Sequence, residues 1–186
     1  AIPEFNNFGP WQQIPFQYSL HILDRDGSLE HKEYLVQEPT EDITLALVRK
    51  MAEDFHTKGS VVVWNDTFER ARNRELAAIH PEYSDFFGNI NNRMFDLMKV
   101  FSNGYYVDEK FHGRNNLKTV LPILIPELSY SELGIQTGQE APVSWRKIIH
   151  NECQPSEKKV IVKHLLAYCK TDSLAMVRIY ELLSNL

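Results

Sequence analysis

Two acidic side chains stand where metal chemistry could be done. Glu69 lies in Asn65-Asp66-Thr67-Phe68-Glu69, just past the apolar run Val61-Val62-Val63-Trp64. Asp172 lies in Tyr168-Cys169-Lys170-Thr171-Asp172, with Tyr168 one helical turn before it. On a helical projection Phe68, Ala71, Ala78 and Ile79 form a core face, and Glu69 falls near its rim with Asn65. Glu75 projects nearer the middle of that face. Asp172 falls inside an apolar arc of Leu165, Cys169, Met176, Tyr180 and Leu183. A carboxylate on a core-facing stripe is costly unless it is hydrogen-bonded, paired or metal-bound.

Ligands of open α/β sheets collect just beyond the carboxyl ends of the strands, which is where the Asn65–Glu69 segment falls. Carboxylates converging there from separate elements suit Mg²⁺ or Mn²⁺, hard cations that prefer oxygen. Two such ions ~3.5–4 Å apart activate a water and stabilise the leaving oxygen of a phosphodiester. In that scheme Glu69 and Asp172 ligate metal, Tyr168 orients the water and Asn65 supports the site. Plainer readings stand beside it. Glu69 is also what the positive end of a helix favours, and Asp172 is also explained by a neighbouring cation or backbone donors.

These residues need a scaffold, and the pattern supplies one. From Ile14 to Leu23, Phe16, Tyr18, Leu20 and Ile22 alternate with Gln17, Ser19 and His21, as in a half-buried strand. Asp24-Arg25-Asp26-Gly27 has turn chemistry, and a second strand over 31–36 completes a hairpin. A helix is expected from Thr40, as cap, to about His56. The run from Val61 to Trp64 reads as a buried strand reached by a parallel crossover. Helices are expected to about His80, over 83–101, 117–124, 143–150 and from Ser156 to the end. The expected fold is α/β, a small mixed sheet with flanking helices in a single domain over 1–186.

Composition narrows the field. The 186 residues are 43% hydrophobic and 24% charged, with a formal net charge of −5. That excludes a disordered chain and a generally basic nucleic-acid coat. No run approaches the ~18 apolar residues of a membrane span, so no membrane partner is expected. Ala1-Ile2-Pro3-Glu4-Phe5 does not read as a signal peptide. Cys153 and Cys169 form neither a disulfide framework nor a zinc pattern, so a reducing, cytoplasmic setting is expected. Arg70 and Arg74, on one helical face, and Arg114 and Lys118 could meet phosphates; solvated surface charge is the ordinary alternative. Trp11, Trp64 and Trp145 read as packing residues.

Asn65-x-x-Phe68-Glu69 resembles the second motif of the DnaQ-like, DEDD-type 3′–5′ exonucleases, and Tyr168-x-x-x-Asp172 resembles the third motif of their tyrosine-bearing subclass. Asp96-Leu97 and Asn116-Leu117-Lys118-Thr119-Val120-Leu121-Pro122 fall in matching order. Gln13-Ile14-Pro15-Phe16-Gln17-Tyr18-Ser19-Leu20-His21 and Leu166-Ala167-Tyr168-Cys169 resemble, more narrowly, an uncharacterised bacterial domain family assigned to the RNase H-like superfamily. The resemblance implies an RNase H-like fold, a two-metal site using Mg²⁺ or Mn²⁺, and DNA or RNA, with a single-stranded end, as substrate. Its first motif, Asp-x-Glu on a central strand, has no counterpart here; Asp24-Arg25-Asp26 is better read as a turn. The expectation is therefore a piece of a longer nuclease-like polypeptide that lacks its first central strand, binds metal poorly and has little or no activity. The alternative is a non-catalytic RNase H-like module that binds nucleic acid or a partner domain.

Overall fold

A computed structural model of the chain describes residues 5, 7–10, 12–128, 130, 134–135 and 138–186. The first strands are β1 (Gln17–Leu23) and β2 (Leu29–Leu35), an antiparallel hairpin in which Tyr18 faces Tyr34 and His21 faces His31. Its turn closes where the pattern requires. Gly27 takes φ +84°, Gly27 N donates to Asp24 O, and Ser28 N donates to Asp26 Oδ1. A Cβ at that φ would clash with the backbone, so glycine fits.

The next elements are α1 (Leu45–Asp54), β3 (Val61–Val63), α2 (Asp66–Ile79), α3 (Ser84–Asn92) and β4 (Met94–Asp96). Strand β3 pairs with β4 in parallel, so α2 and α3 form the crossover. The sheet is mixed in its pairings but comes as two two-stranded pieces, one antiparallel and one parallel. The rest is helical: α4 (Met98–Ser102), α5 (Leu117–Leu124), α6 (Glu140–Ile149) and α7 (Pro155–Ser184). No helix among the described residues is long and apolar enough to cross a membrane.

Three expectations change. The helix expected over 83–101 is broken by β4, whose three residues are too short to show a period of two. Thr44, not Thr40, is at the cap position of α1, and the Asp42 side chain just before it accepts from Thr44 N and Leu45 N, both at 3.1 Å, while Thr40 donates to the Asp42 carbonyl. On α2 the buried residues are Asn73 and Leu76, and Phe68 is 45% exposed. That helix is wedged between α1 and α3, with Leu76 packed among Val48 and Phe87, so its inward face is set by two neighbours.

Helix α7 ties the halves together. Leu165 and Tyr168 pack into one cluster with Tyr18, Leu35, Leu47 and Trp145. Further along, Ala175 and Ile179 pack into a second cluster with Leu97, Phe101 and Val120, bordered by Val62 and Trp64. Trp145 and Trp64 serve packing as expected: Trp145 stacks on Phe16 at 4.7 Å and donates to Val36 O, and Trp64 stacks on Phe101. Trp11 lies outside the described residues. The hairpin's second face is covered as well, since its polar side chains meet α7 through hydrogen bonds.

Candidate functional site

The site is built on three supports: the first turn of α2, the middle of α7 and the start of α5. Asn65 caps α2 in a left-handed conformation, φ +80°, and its side chain accepts from Phe68 N at 3.4 Å. The cap is anchored from below. Buried Asp96, at the end of β4, accepts from Asn65 N (3.0 Å), Asp66 N (3.1 Å) and Met98 N (3.0 Å). The α2 N-terminus is thereby fixed to the parallel strand pair, and Glu69 projects from its first turn.

Glu69 lines a cleft of about 760 Å³ with Phe68, Arg72, Gln13, Gln17 and Trp145. Burial raises its carboxyl above the usual range, and the Arg72 charge only partly opposes this. Arg72 itself is committed to Gln13 (2.7 Å) and Glu75 (2.6 Å), and its guanidinium lies 5.4 Å over the Phe68 ring.

Asp172 occupies the corresponding place on α7. Among the described residues it accepts one bond, from Tyr130 Oη at 2.5 Å. Burial pushes its pKa up to about 6, against the opposing pull of Tyr130 and of the Lys118 charge. Tyr168 is buried beside it, its ring 5.9 Å from that of Tyr130. Burial and the Asp172 charge raise both hydroxyls, so they stay protonated. Lys118 Nζ sits 5.0 Å from the Tyr168 ring and 5.3 Å from the Tyr130 ring, which suits a cation–π contact.

Asp172 and Glu69 act on a common neighbour. The Cys169 thiol, on α7 one turn before Ser173, is raised by burial and then by the charges of Asp172, Glu69 and Glu33. The charges of both carboxylates reach this thiol although 103 positions separate them in the sequence, while neither carboxyl is shifted by the other. Of the expected residues, Tyr168, Asp172 and Lys118 come together, with Glu69 acting on the same thiol. Arg70 and Arg74 do not join them. Arg70 pairs with Asp66 and donates to the carbonyls of Asn91 and Met94. With the exposed Arg74 it lines a separate, shallower cleft of about 320 Å³ against α3.

The sequence reading missed Tyr130, which lies in an irregular segment 42 residues before Asp172 and carries no periodic signal. Among the described residues, no group of three or more His, Cys, Asp or Glu is arranged to hold a metal ion.

Fold and site define a mixed α/β domain with two poorly solvated carboxylates, one on the first turn of α2 and one in the middle of α7. By sequence the chain belongs to a domain family of unknown function (DUF2779), whose profile matches residues 1–116. The match takes in the hairpin, β4, Asn65 and Glu69, and Tyr168 and Asp172 lie beyond it. No curated protein and no solved structure matches the chain.

Proposed function

We propose that this chain is a metal-dependent nuclease domain of RNase H-like, DnaQ-like type that hydrolyses phosphodiesters from the 3′ end of DNA or RNA. The observation that supports it is that Glu69 and Asp172 are both carboxyls raised by burial, with Tyr130, Tyr168 and Lys118 gathered at Asp172. An acid in a poorly solvated place is costly to ionise, and a bound cation offsets that cost. Glu69 and Asp172 would hold Mg²⁺ or Mn²⁺, which supplies Lewis acidity and cancels phosphate charge. Tyr168, its hydroxyl protonated, donates to the attacking water and fixes its lone pair toward phosphorus. The water oxygen bonds to phosphorus and gives up a proton to solvent, the bond to the 3′ oxygen breaks, that oxygen takes up a proton from solvent to become the new 3′ hydroxyl, and a nucleoside 5′-monophosphate leaves. Lys118, held over the Tyr168 ring, supplies positive charge for the phosphate, and Asn65 acts by placing Glu69.

Mn²⁺ titration followed by electron paramagnetic resonance tests this directly. Weak Mn²⁺ binding that is lost in Glu69→Gln and in Asp172→Asn, with little or no Mn²⁺-dependent shortening of a 5′-labelled single strand by this chain, is the expected result. No Mn²⁺ binding removes its chemical basis. The second reading, a non-catalytic module that binds nucleic acid or a partner domain in a larger polypeptide, is favoured by the small donor set. Single-strand binding indifferent to Mn²⁺ and to both substitutions would select it.

A further inference from the structure

We propose that the seam between the hairpin and α7 is an acid-sensitive latch, closed by the paired imidazoles of His21 and His31 and opened when they are protonated. The two residues are direct cross-strand partners, and their rings stack with centroids 4.4 Å apart at 29°. A chain of hydrogen bonds runs from His31 Nε2 to Ser19 Oγ (2.9 Å), from Ser19 Oγ to Ser173 Oγ (2.7 Å), and from Ser173 Oγ to His21 Nδ1 (2.8 Å). Ser173 is buried on α7, so this chain is the polar part of the contact between the hairpin and that helix.

Proton counting shows why the neutral pair fits. The Ser173 hydroxyl also reaches Lys170 O at 3.1 Å, so four contacts need four hydrogens; two hydroxyls supply two and one N–H of each imidazole supplies the rest. Each ring then donates while neutral, and no charge is buried. Protonating both would place two cations in stacking contact. From α7, Lys170 acts against both rings and Arg178 against His21; on β2, His31 opposes His21, and Glu33, 3.7 Å from His31 Nε2, is the opposite charge. Burial first, then these charges, lower His21 from 6.5 to about 4, and His31 is lowered too. An undocked hairpin frees both rings to titrate normally, so the undocked form binds more protons and acid favours it.

The carboxylates cannot imitate this between pH 7 and 5. Asp172 and Glu69 are raised, so protonation favours the docked form. Asp54, Asp66 and Asp26 are lowered below 3.8 and act only in stronger acid.

Cys169 provides the readout, because this half-buried residue lies one turn from Ser173 and desolvation raises its thiol, while Cys153, also half-buried but far along the chain from the seam, supplies an internal reference for thiol chemistry. Labelling with 4,4′-dithiodipyridine, resolved by mass spectrometry, gives the ratio of the two rates. From pH 7 to pH 5 the Cys169/Cys153 ratio should rise on the order of 20-fold, set by the His21 shift. His21→Gln, which keeps an amide for Ser173 and removes the charge, should reduce the rise to a few-fold. The double variant with His31→Gln should abolish it. A flat ratio in the native chain, or an undiminished rise in the double variant, overturns the latch. If the double variant is labelled fast already at pH 7 it has not docked, and histidine titration by NMR in the native chain then decides. Rings titrating near 6.5 with β1 amide protection unchanged across that range also overturn it.

Discussion

Asp96 and Asp172 are both carboxylates on inward-facing positions, yet their surroundings supply very different numbers of donors. Asp96 receives three backbone N–H groups, from Asn65, Asp66 and Met98, and Lys99 approaches to 3.8 Å. Asp172 receives, among the described residues, one hydroxyl, from Tyr130. In the first case desolvation is offset by directed dipoles and the acid becomes a joint between β4, α2 and α4. In the second the charged form stays costly, and the pKa rises to about 6. An acid surrounded by donors holds a fold together, whereas one left short of them is available for a cation. Glu69 belongs with Asp172 by this criterion, since burial outweighs the Arg72 charge.

The contrast breaks if the two acids respond alike to removal. Asp96→Ala leaves three backbone donors without their acceptor and releases the α2 cap from β4. At roughly 1–3 kcal/mol per orphaned group, partly recovered by water, the expected loss is about 4 kcal/mol. Urea denaturation reports it as a lower midpoint at unchanged slope. Asp96→Asn keeps one acceptor oxygen and should lose about half as much. A cost below about 1 kcal/mol for the alanine variant would mean that the joint lies elsewhere.

How much of this was legible in the sequence depended on distance along the chain. The hairpin could be read because alternation and an Asp-Gly turn are local. Helix α5 was expected near 117–124 and is observed at Leu117–Leu124, where Asn116 accepts from Thr119 N as its cap. Asp172 was found because a carboxylate in an apolar arc is conspicuous. Its partner Tyr130 was not, because tertiary packing alone brings an irregular segment against α7. The polar face of β1 was read as solvent-facing; α7 covers it, and a 3.6-residue periodicity does not reveal which strand a helix will pack against. Arg70 looked like a phosphate ligand beside Glu69, yet its guanidinium is held by the ends of α3 and β4.

Asp172→Asn should do the reverse of the Asp96 substitutions. The folded carboxyl is raised to about 6 from 3.8, so the folded state holds the proton more tightly than the unfolded chain. The penalty is absent below pH 3.8, grows as pH rises to 6, and is constant above it. Asparagine still accepts from Tyr130 and carries no charge. At pH 8 the variant should be roughly 2–3 kcal/mol more stable than the native chain, from 1.36 kcal/mol per pKa unit. The gain should vanish near pH 3.5, so thermal melts at the two pH values test its sign. A destabilised variant at pH 8 would place Asp172 with Asp96, as a satisfied structural acid.

The smallest expected effect asks whether Asn65 belongs to the joint or to the site. Its φ of +80° favours glycine, and its cap bond to Phe68 N is long, at 3.4 Å. Asn65→Gly should therefore change stability by no more than about 0.5 kcal/mol, while Asn65→Ala, which loses the cap and forces a Cβ into the left-handed region, should cost about 1–2 kcal/mol. If Asn65 acts only by placing Glu69, the glycine variant keeps its Mn²⁺ affinity, because the backbone bond from Asn65 N to Asp96 survives. Loss of Mn²⁺ binding at unchanged stability would instead make the Asn65 amide a ligand. The donor set would then be two carboxylates and an amide oxygen, with part of it mounted directly on the joint that Asp96 holds.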